Sequence, residues 1–336
     1  MNYALIDLAN SFWRCKHIAS KNQDPWTKVG MALHLTLASV NQAVRMFNID
    51  HVCFMTEGRS WRKNFYQPYK ANRVVTDATE AEQEENKLFW ETYETFINFL
   101  NDKTNTSVLR CSTAEADDLI ARFIHLHPTD NHYIISTDTD FVQLISENVQ
   151  QYNGVTGQVI RLDGYFDDRN KPVKDKKTGT HKLLEEPEYL LFKKIVRGDS
   201  TDNVFSAYPG AREKGSKNSV GIKEAFEDRN KQGFNFNNFM LQKWQDHNGI
   251  DHRVKDDYER NRILIDLTAQ PDDIKKTIDE SIIDSIRRTT QNSGVGLHLL
   301  KFCGKHELIK ISEQAETYAK WLNKPYSGEL LNASER

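Results

Sequence analysis

The stretch SVLRCSTAEADDLIARFIHLHPTDNHYIISTDTDF, residues 107–141, decides the fold. Ser107–Cys111 and His132–Thr137 are apolar runs of strand length, bounded by turn-forming residues. Between them Ala116, Leu119, Ile120 and Phe123 recur at helical spacing, which predicts a helix from about Ala114 to His125. Strand, helix and strand in this order argue for a parallel sheet flanked by helices, because parallel strands need a crossover that a helix supplies. Carboxylates follow both strands: Glu115, Asp117 and Asp118 after the first, Asp138 and Asp140 after the second. In open parallel sheets the site lies beyond the carboxyl ends of the strands.

The alternation extends outward from there. Tyr3–Leu8 reads as a buried strand, Trp26–Phe47 as a helix and His51–Thr56 as a second strand. Phe89, Tyr93, Phe96, Ile97 and Leu100 place a further helix. Asp7 and Glu57 thus join the acids at strand ends. Downstream, Val149–Asn153 and Gln158–Leu162 predict a hairpin around Gly154 and Gly157. Asp167–His181, rich in Lys, reads as a mobile surface loop. A helix from about Pro187 to Val196, a turn-rich stretch over Ser206–Lys217 and a helix starting near Ser219 follow. Tyr326–Arg336 reads as a fraying terminus. The fold class is α/β, a central, mostly parallel sheet flanked by helices. The expected division is 1–185 for the α/β core, 186–290 for a helical region and 291–336 for a helical tail.

The chain has 336 residues, enough for one large domain or two modest ones. No apolar run reaches membrane-span length, and the N-terminus lacks a signal peptide's charged head and long apolar run, so the expectation is a cytosolic protein with no membrane partner. Cys15, Cys53, Cys111 and Cys303 form no CxxC pair, which argues against zinc and for reduced, buried thiols. The net charge of −3 argues at first against nucleic acid. Its distribution argues the other way: with the clustered acids neutralised by metal, the remainder is positive. Arg59, Arg62, Lys63, Lys70 and Arg73 lie between Glu57 and Asp77 with no acid among them. Arg212, Lys214, Lys217 and Lys223 form a second basic group, and solvated surface explains either one equally well.

Each acidic signature has a plain structural use. Ser112 and Glu115 fit a helix capping box, and Asp117 and Asp118 suit a first helical turn. At about 100° per residue, Glu115 and Asp117 border the buried stripe and Asp118 falls on its far side. Asp138 and Asp140 project to the same side of an extended segment, or cap a helix near Phe141. Gly198 suits a helix C-cap, and Asp199 and Asp202, three apart, either form Asx-turns or bind a cation jointly. Lys70 and Arg73 follow Pro68, and i, i+3 spacing in a helix would align them to grip a phosphate. Together, Asp7, Glu57, Glu115, Asp117, Asp118, Asp138, Asp140, Asp199 and Asp202 form an oxygen-only set. Such a set suits Mg²⁺ or Mn²⁺ and in-line cleavage of phosphodiesters.

The order YALID, Glu57 with a basic helix, EADD, STDTDF and GDSTDN resembles the flap endonuclease or 5′-nuclease superfamily. WRKNFYQPYKANR, IISTDTDFVQL and GDSTDNV resemble the T-even phage ribonuclease H group of free-standing 5′-nucleases, and DYERNRILIDL continues the likeness more weakly. The resemblance covers about residues 3–270. It implies a PIN-like 5′-nuclease core with a helical arch at about 74–100, its polar part Val74–Lys87, and a C-terminal helical helix-turn-helix region near Ser206–Phe226 that grips duplex. It implies two Mg²⁺ ions, which Mn²⁺ can replace. Asp7, Glu57, Glu115, Asp117 and Asp118 would build the first site and its shell, and Asp138, Asp140, Asp199 and Asp202 the second. Lys70 and Arg73 match the family's basic catalytic pair. Arg62, Lys63, Tyr69, Arg212, Lys214, Lys217 and Lys223 are the candidate nucleic-acid contacts.

The implied activity is a structure-specific 5′-nuclease, both 5′→3′ exonuclease and flap endonuclease, with ribonuclease H activity. Its substrates would be branched or nicked duplex DNA and RNA–DNA hybrid. The implied setting is RNA primer removal during phage replication in an infected bacterium, by a monomer, with a single-stranded-DNA-binding protein or sliding clamp as possible partner. Two departures stand out. Glu57 replaces the family's usual Asp, and YPGAREKGSKNSVGIKEAF replaces the glycine-rich GxxGIG hairpin, with Lys214, Lys217 and the helix N-terminus near Ser219 as substitute phosphate contacts. The arch carries Asp77, Glu80, Glu82, Glu84 and Glu85, which favours disorder without substrate. Two other readings remain open, a single-strand ribonuclease of the PIN class and a nuclease-dead junction-binding protein.

Overall fold

The structure, a computed structural model, describes residues 1–18, 24–73, 79–287 and 291–331. The chain forms two compact units. Unit 1 comprises Met1–Arg59, Val75–Leu184 and Lys275–Arg336; unit 2 comprises Ser60–Val74 and Glu185–Ile274. The units are therefore built from interleaved segments, where the sequence suggested three consecutive ones.

In unit 1, β1 (Asn2–Asp7), α1 (Leu8–Ile18), α2 (Pro25–Met46) and β2 (His51–Thr56) come first. After the excursion into unit 2, which holds the short α3 (Arg62–Phe65), come α4 (Glu80–Lys103), β3 (Ser107–Arg110), α5 (Ala116–Leu126) and β4 (Asn131–Ile135). A 3₁₀ turn (Thr139–Leu144) leads to β5 (Val149–Asn153), β6 (Gln158–Arg161) and β7 (Gly164–Phe166). The seven strands lie in the order β3-β2-β1-β4-β5-β6-β7. The first five are mutually parallel, while β6 pairs antiparallel with β5 and β7 antiparallel with β6. β1 and β2 are buried along nearly their whole length, which is why both read as continuous apolar runs rather than alternating ones.

α1 was not legible: LANSFWRCKHI mixes polar and apolar residues and follows β1 without a break. Phe12 and Cys15 on its inner face join Leu33, Leu37, Phe54, Phe89 and Phe96 in the core. α4 begins with a capping box, Thr79 accepting the Glu82 N–H at 3.3 Å while Glu82 accepts the Thr79 N–H at 2.9 Å. Its early acids sit where the helix dipole favours them. Disorder expected of the arch is thus not found over Thr79–Lys87, and residues 74–78, with Asp77, lie outside the described residues. The Asp167–His181 loop is pinned by backbone bonds such as Val173 N–H to Tyr165 O (2.8 Å) and Asp175 N–H to Thr180 O (2.8 Å).

The C-terminal helices α11 (Val295–Lys305), α12 (Ile309–Ser312) and α13 (Ala315–Leu322) are not an appendage. Leu299, Phe302, Ile311, Trp321 and Leu322 belong to the same apolar cluster as the sheet, and burial of that face fixes them in unit 1. The fraying expected from Tyr326 is corrected as far as Leu331, and residues 332–336 lie outside the described residues. The Tyr326 hydroxyl is 2.7 Å from His127 Nε2, and the Leu331 N–H donates to Leu126 O at 3.0 Å.

Unit 2 contains α6 (Pro187–Arg197), α7 (Ile222–Glu227), α8 (Phe234–Met240), the small hairpin β8 (Lys243–Gln245) and β9 (Asp251–Arg253), and α9 (Val254–Ile265). Its core gathers Tyr189, Phe192, Val196, Ile222, Phe226 and Phe239. α10 (Asp272–Ile286) returns the chain to unit 1. No helix among the described residues is long and apolar enough to cross a membrane.

Candidate metal centre

β1 ends on Asp7, β2 runs through Thr56 into Glu57, and β4 leads through Ser136 to Asp138. The strands are parallel neighbours in the order β2-β1-β4, so the three acids emerge at one edge. The chain leaves β1 for β2 on one side while β4 lies on the other, so this edge is the topological switch point of the sheet.

The buried Asp7 carboxylate accepts the Ser136 hydroxyl at 3.0 Å and the Asn10 N–H at 3.2 Å. Ser136 Oγ in turn accepts the Asp138 N–H at 3.1 Å, and Asp138 Oδ1 accepts the Asp140 N–H at 2.9 Å. The Asn10 side-chain Oδ1 accepts the Thr137 hydroxyl at 2.9 Å. Buried Gln151 of β5 donates to the carbonyls of Ser136 (3.0 Å) and Asp138 (2.6 Å). These bonds stitch the ends of β1, β4 and β5 together, and Asp138 caps the 3₁₀ turn as the alternative reading had it.

α5 supplies the densest group. Glu115, Asp117 and Asp118 each offer a carboxylate oxygen, and these oxygens lie within 4.8 Å of one another. The helix is capped by Glu115, not Ser112: Asp118 Oδ2 accepts the Glu115 N–H at 3.2 Å. The Asp118 N–H donates to Asp117 Oδ1 at 2.7 Å. Asp118, expected on the far side of the helix, is fully buried. Arg122, one turn on, is buried as well, in a bidentate pair with Asp279 of α10 (2.8 and 2.6 Å). Three carboxylates this close repel one another. The helix N-terminus offsets part of that charge. The donor set is oxygen only, and a hard divalent cation fits it better than a soft metal.

Glu57 reaches the same helix, its Oε2 accepting the Ala116 N–H across 3.4 Å. Gly58 makes this approach possible. Its N–H donates to Ala114 O at 2.9 Å, and a β-carbon there would lie 1.9 Å from Cys111 O and 2.6 Å from Ala114 O. Gly58, Ser136, Asn10 and Gln151 were not picked out from the sequence as site residues. The glycine directly after Glu57 and the glutamine inside the strand VQQYN were the available signals.

In unit 2, Asp199 and Asp202 are three residues apart in a turn after α6. Burial works to raise the Asp199 carboxyl, but the Lys194 ammonium at 2.8 Å and the N–H groups of Thr201 and Asp202 outweigh it and hold the group below the usual range. Asp202 accepts the Tyr69 hydroxyl (3.0 Å) and the Arg73 guanidinium (2.7 Å), with the Lys70 ammonium 3.7 Å away. Lys70 and Arg73 do meet at one carboxylate, yet not through a helix. Lys70 has φ 55°, its N–H donates to Asp202 O at 2.8 Å, and the backbone turns there instead.

Three expectations about nucleic-acid contacts are corrected. Arg62 is fully buried, donates to Leu264 O at 2.9 Å and lies 4.8 Å from the Trp61 ring centre. Tyr69 is buried and committed to Asp202. The N-terminus of α7 is filled by its own Glu224, which accepts the N–H groups of Gly215 and Gly221 at 3.0 Å. Lys63, Arg212, Lys214, Lys217 and Lys223 are exposed.

Residues 2–176 match the family of the 5′-3′ exonuclease, N-terminal resolvase-like domain. The chain is 26% identical over 199 residues to a 5′-3′ exonuclease of Mycoplasmopsis pulmonis (strain UAB CTIP), across 58% of this chain and 59% of that protein. It is 25% identical over 211 residues to the flap endonuclease of Escherichia phage T5, across 60% and 64%. The matched segment therefore spans less than two thirds of either relative. In fold, the chain resembles the crystal structure of the T5 D15 protein co-crystallised with metal ions, with a TM-score of 0.58 at 18% identity over 86% of this chain and all of that one.

Proposed function

This chain belongs to the 5′-3′ exonuclease family through its N-terminal resolvase-like domain, and on that premise we propose that it is a divalent-metal-dependent, structure-specific 5′-nuclease. One observation carries the reading: the carboxylates of Glu115, Asp117 and Asp118 converge within 4.8 Å, in the unit that also presents Asp7, Glu57, Asp138 and Asp140 at strand ends.

Glu115, Asp117 and Asp118, with Asp7 and Glu57, would hold one cation, and Asp138 and Asp140 would serve a second. The assignment of Asp199 and Asp202 as further ligands rests on the GDSTDN motif. When bound, Mg²⁺ or Mn²⁺ supplies an acidified water and screens charge on the leaving 3′ oxygen. The rest falls to side chains. Ser136 and Asn10 fix the Asp7 carboxylate, and Gln151 fixes the backbone that aims Asp138. Lys70 and Arg73 would offset charge on the phosphate undergoing cleavage. Lys63, Arg212, Lys214, Lys217 and Lys223 would contact the sugar-phosphate backbone of duplex.

The substrates proposed are 5′ flaps, nicked or gapped duplex and the RNA strand of RNA–DNA hybrids, with primer removal in phage replication as the biological role. The test is a cleavage assay in Mg²⁺ against EDTA on flap DNA, nicked duplex, RNA–DNA hybrid and single-stranded RNA, each labelled at either end. Mg²⁺-dependent products set by the 5′ end or flap junction are expected. Cutting of single-stranded RNA alone would replace this reading with a PIN-class ribonuclease. Duplex binding without any cutting would replace it with a nuclease-dead binding protein.

A further inference from the structure

Tyr93 lies on the buried face of α4, between Phe89 one turn before and Phe96 one turn after. Its ring packs 5.5 Å from Phe12 of α1, the helix that directly follows Asp7. The next residue, Glu94, pairs with Arg110 at 3.3 Å. Arg110 ends β3 and is the register partner of Thr56, the residue before Glu57. These contacts set Tyr93 at the carboxyl ends of β1 and β2. The residue is 4% exposed, and its hydroxyl has no hydrogen-bond partner among the described residues.

A buried hydroxyl without a partner is costly, and each such group in a folded protein calls for an explanation. Burial first, then the charges of Glu57 and Asp7, push its ionisation far up, so the phenol stays protonated and remains a donor. Glu57 meets the Ala116 N–H over a long 3.4 Å. A carboxylate has two oxygens, and one can accept a hydroxyl while the other faces a cation.

We propose that Tyr93 is a positioning residue for the metal centre: with a divalent cation bound, its hydroxyl donates to the Glu57 carboxylate and fixes the direction in which Glu57 meets the cation. Partners of this outer kind orient metal ligands and tune affinity. The inference rests on the metal-dependent reading above, and its test separates the two. Mn²⁺ is titrated calorimetrically into substrate-free wild type, Tyr93→Phe, Glu57→Gln and the double variant, and melting temperatures are taken with and without Mn²⁺. Phe keeps the packing against Phe12.

The expected result is Mn²⁺ binding weakened about 10-fold or more by Tyr93→Phe. The metal-free melting temperature stays level or rises, because the lost hydroxyl had no partner. In the Glu57→Gln background the effect of Tyr93→Phe largely disappears. Unchanged Mn²⁺ affinity in Tyr93→Phe, or a fall in its metal-free melting temperature, overturns the assignment and leaves the metal centre standing. Wild type that binds no Mn²⁺ overturns both.

Discussion

Arg62 shows how a single residue can mislead in sequence and be settled by its surroundings. WRKNFYQPYKANR reads as a basic surface, yet the Arg62 guanidinium is enclosed and spent on the Leu264 carbonyl, about 200 positions away in sequence. Nothing local marks it, because the partner is contributed by α9. Removing a buried charged donor leaves that carbonyl unpaired, at about 1–3 kcal/mol. Arg62→Met should therefore lower the melting temperature and leave duplex affinity unchanged at temperatures where the variant is folded. Affinity lost without any loss of stability would return Arg62 to the nucleic-acid surface. Gly58 is the opposite case: its need for a close backbone approach was present in the sequence, as a glycine against the acid it positions, but the reason lies in Cys111 and Ala114.

At the scale of elements, the parallel strands were legible because strands buried on both faces read as unbroken apolar runs. His51–Thr56 has the same bounds in sequence and structure, and β1, β3 and β4 differ by a residue or two. The hairpin strands β8 and β9, three residues each, are too short to carry a pattern. α5 was found but its buried arc was drawn too narrow, since periodicity reports one apolar stripe and not a polar contact on the opposite face. That contact is the Arg122–Asp279 pair joining α5 to α10. Breaking a buried pair from one side strands a charge and costs about 3–5 kcal/mol, while replacing both partners with apolar residues costs far less. Asp279→Leu should thus destabilise much more than Arg122→Met with Asp279→Leu together, by urea denaturation. Equal losses would show that the pair does not hold α5 in place.

Across the whole molecule, the segment order explains why the division was not legible. The chain leaves unit 1 twice and returns each time, an interleaving that a reading of consecutive segments does not reveal, and α11–α13 show their place only when the core is seen. The amino ends of the sheet strands carry a titratable core as well. Burial pulls His51 and His132 down to about 4, and lowers His127. An unfolded histidine titrates near 6.5. Below that value the unfolded chain binds protons that the folded one refuses, so stability is complete above about pH 6.5 and falls as pH drops toward 4. Each of His51 and His132 would contribute up to about 3 kcal/mol of that loss. Melting temperatures should decline between pH 6.5 and 4.5, and a flat profile there would mean these histidines are already charged in the folded protein.

The central claim is that the carboxylates gathered by α5 hold the cation on which cleavage depends. It is tested most directly by single-turnover cleavage of a 5′-flap duplex by wild type and Asp117→Asn across a Mg²⁺ titration, with flap binding measured in Ca²⁺. The account predicts Mg²⁺-dependent cutting at the flap junction by wild type. It predicts a loss of about 100-fold or more in the variant, the scale of removing one charge-stabilising group, with flap binding retained. Near-normal cleavage by Asp117→Asn at every Mg²⁺ concentration would contradict it.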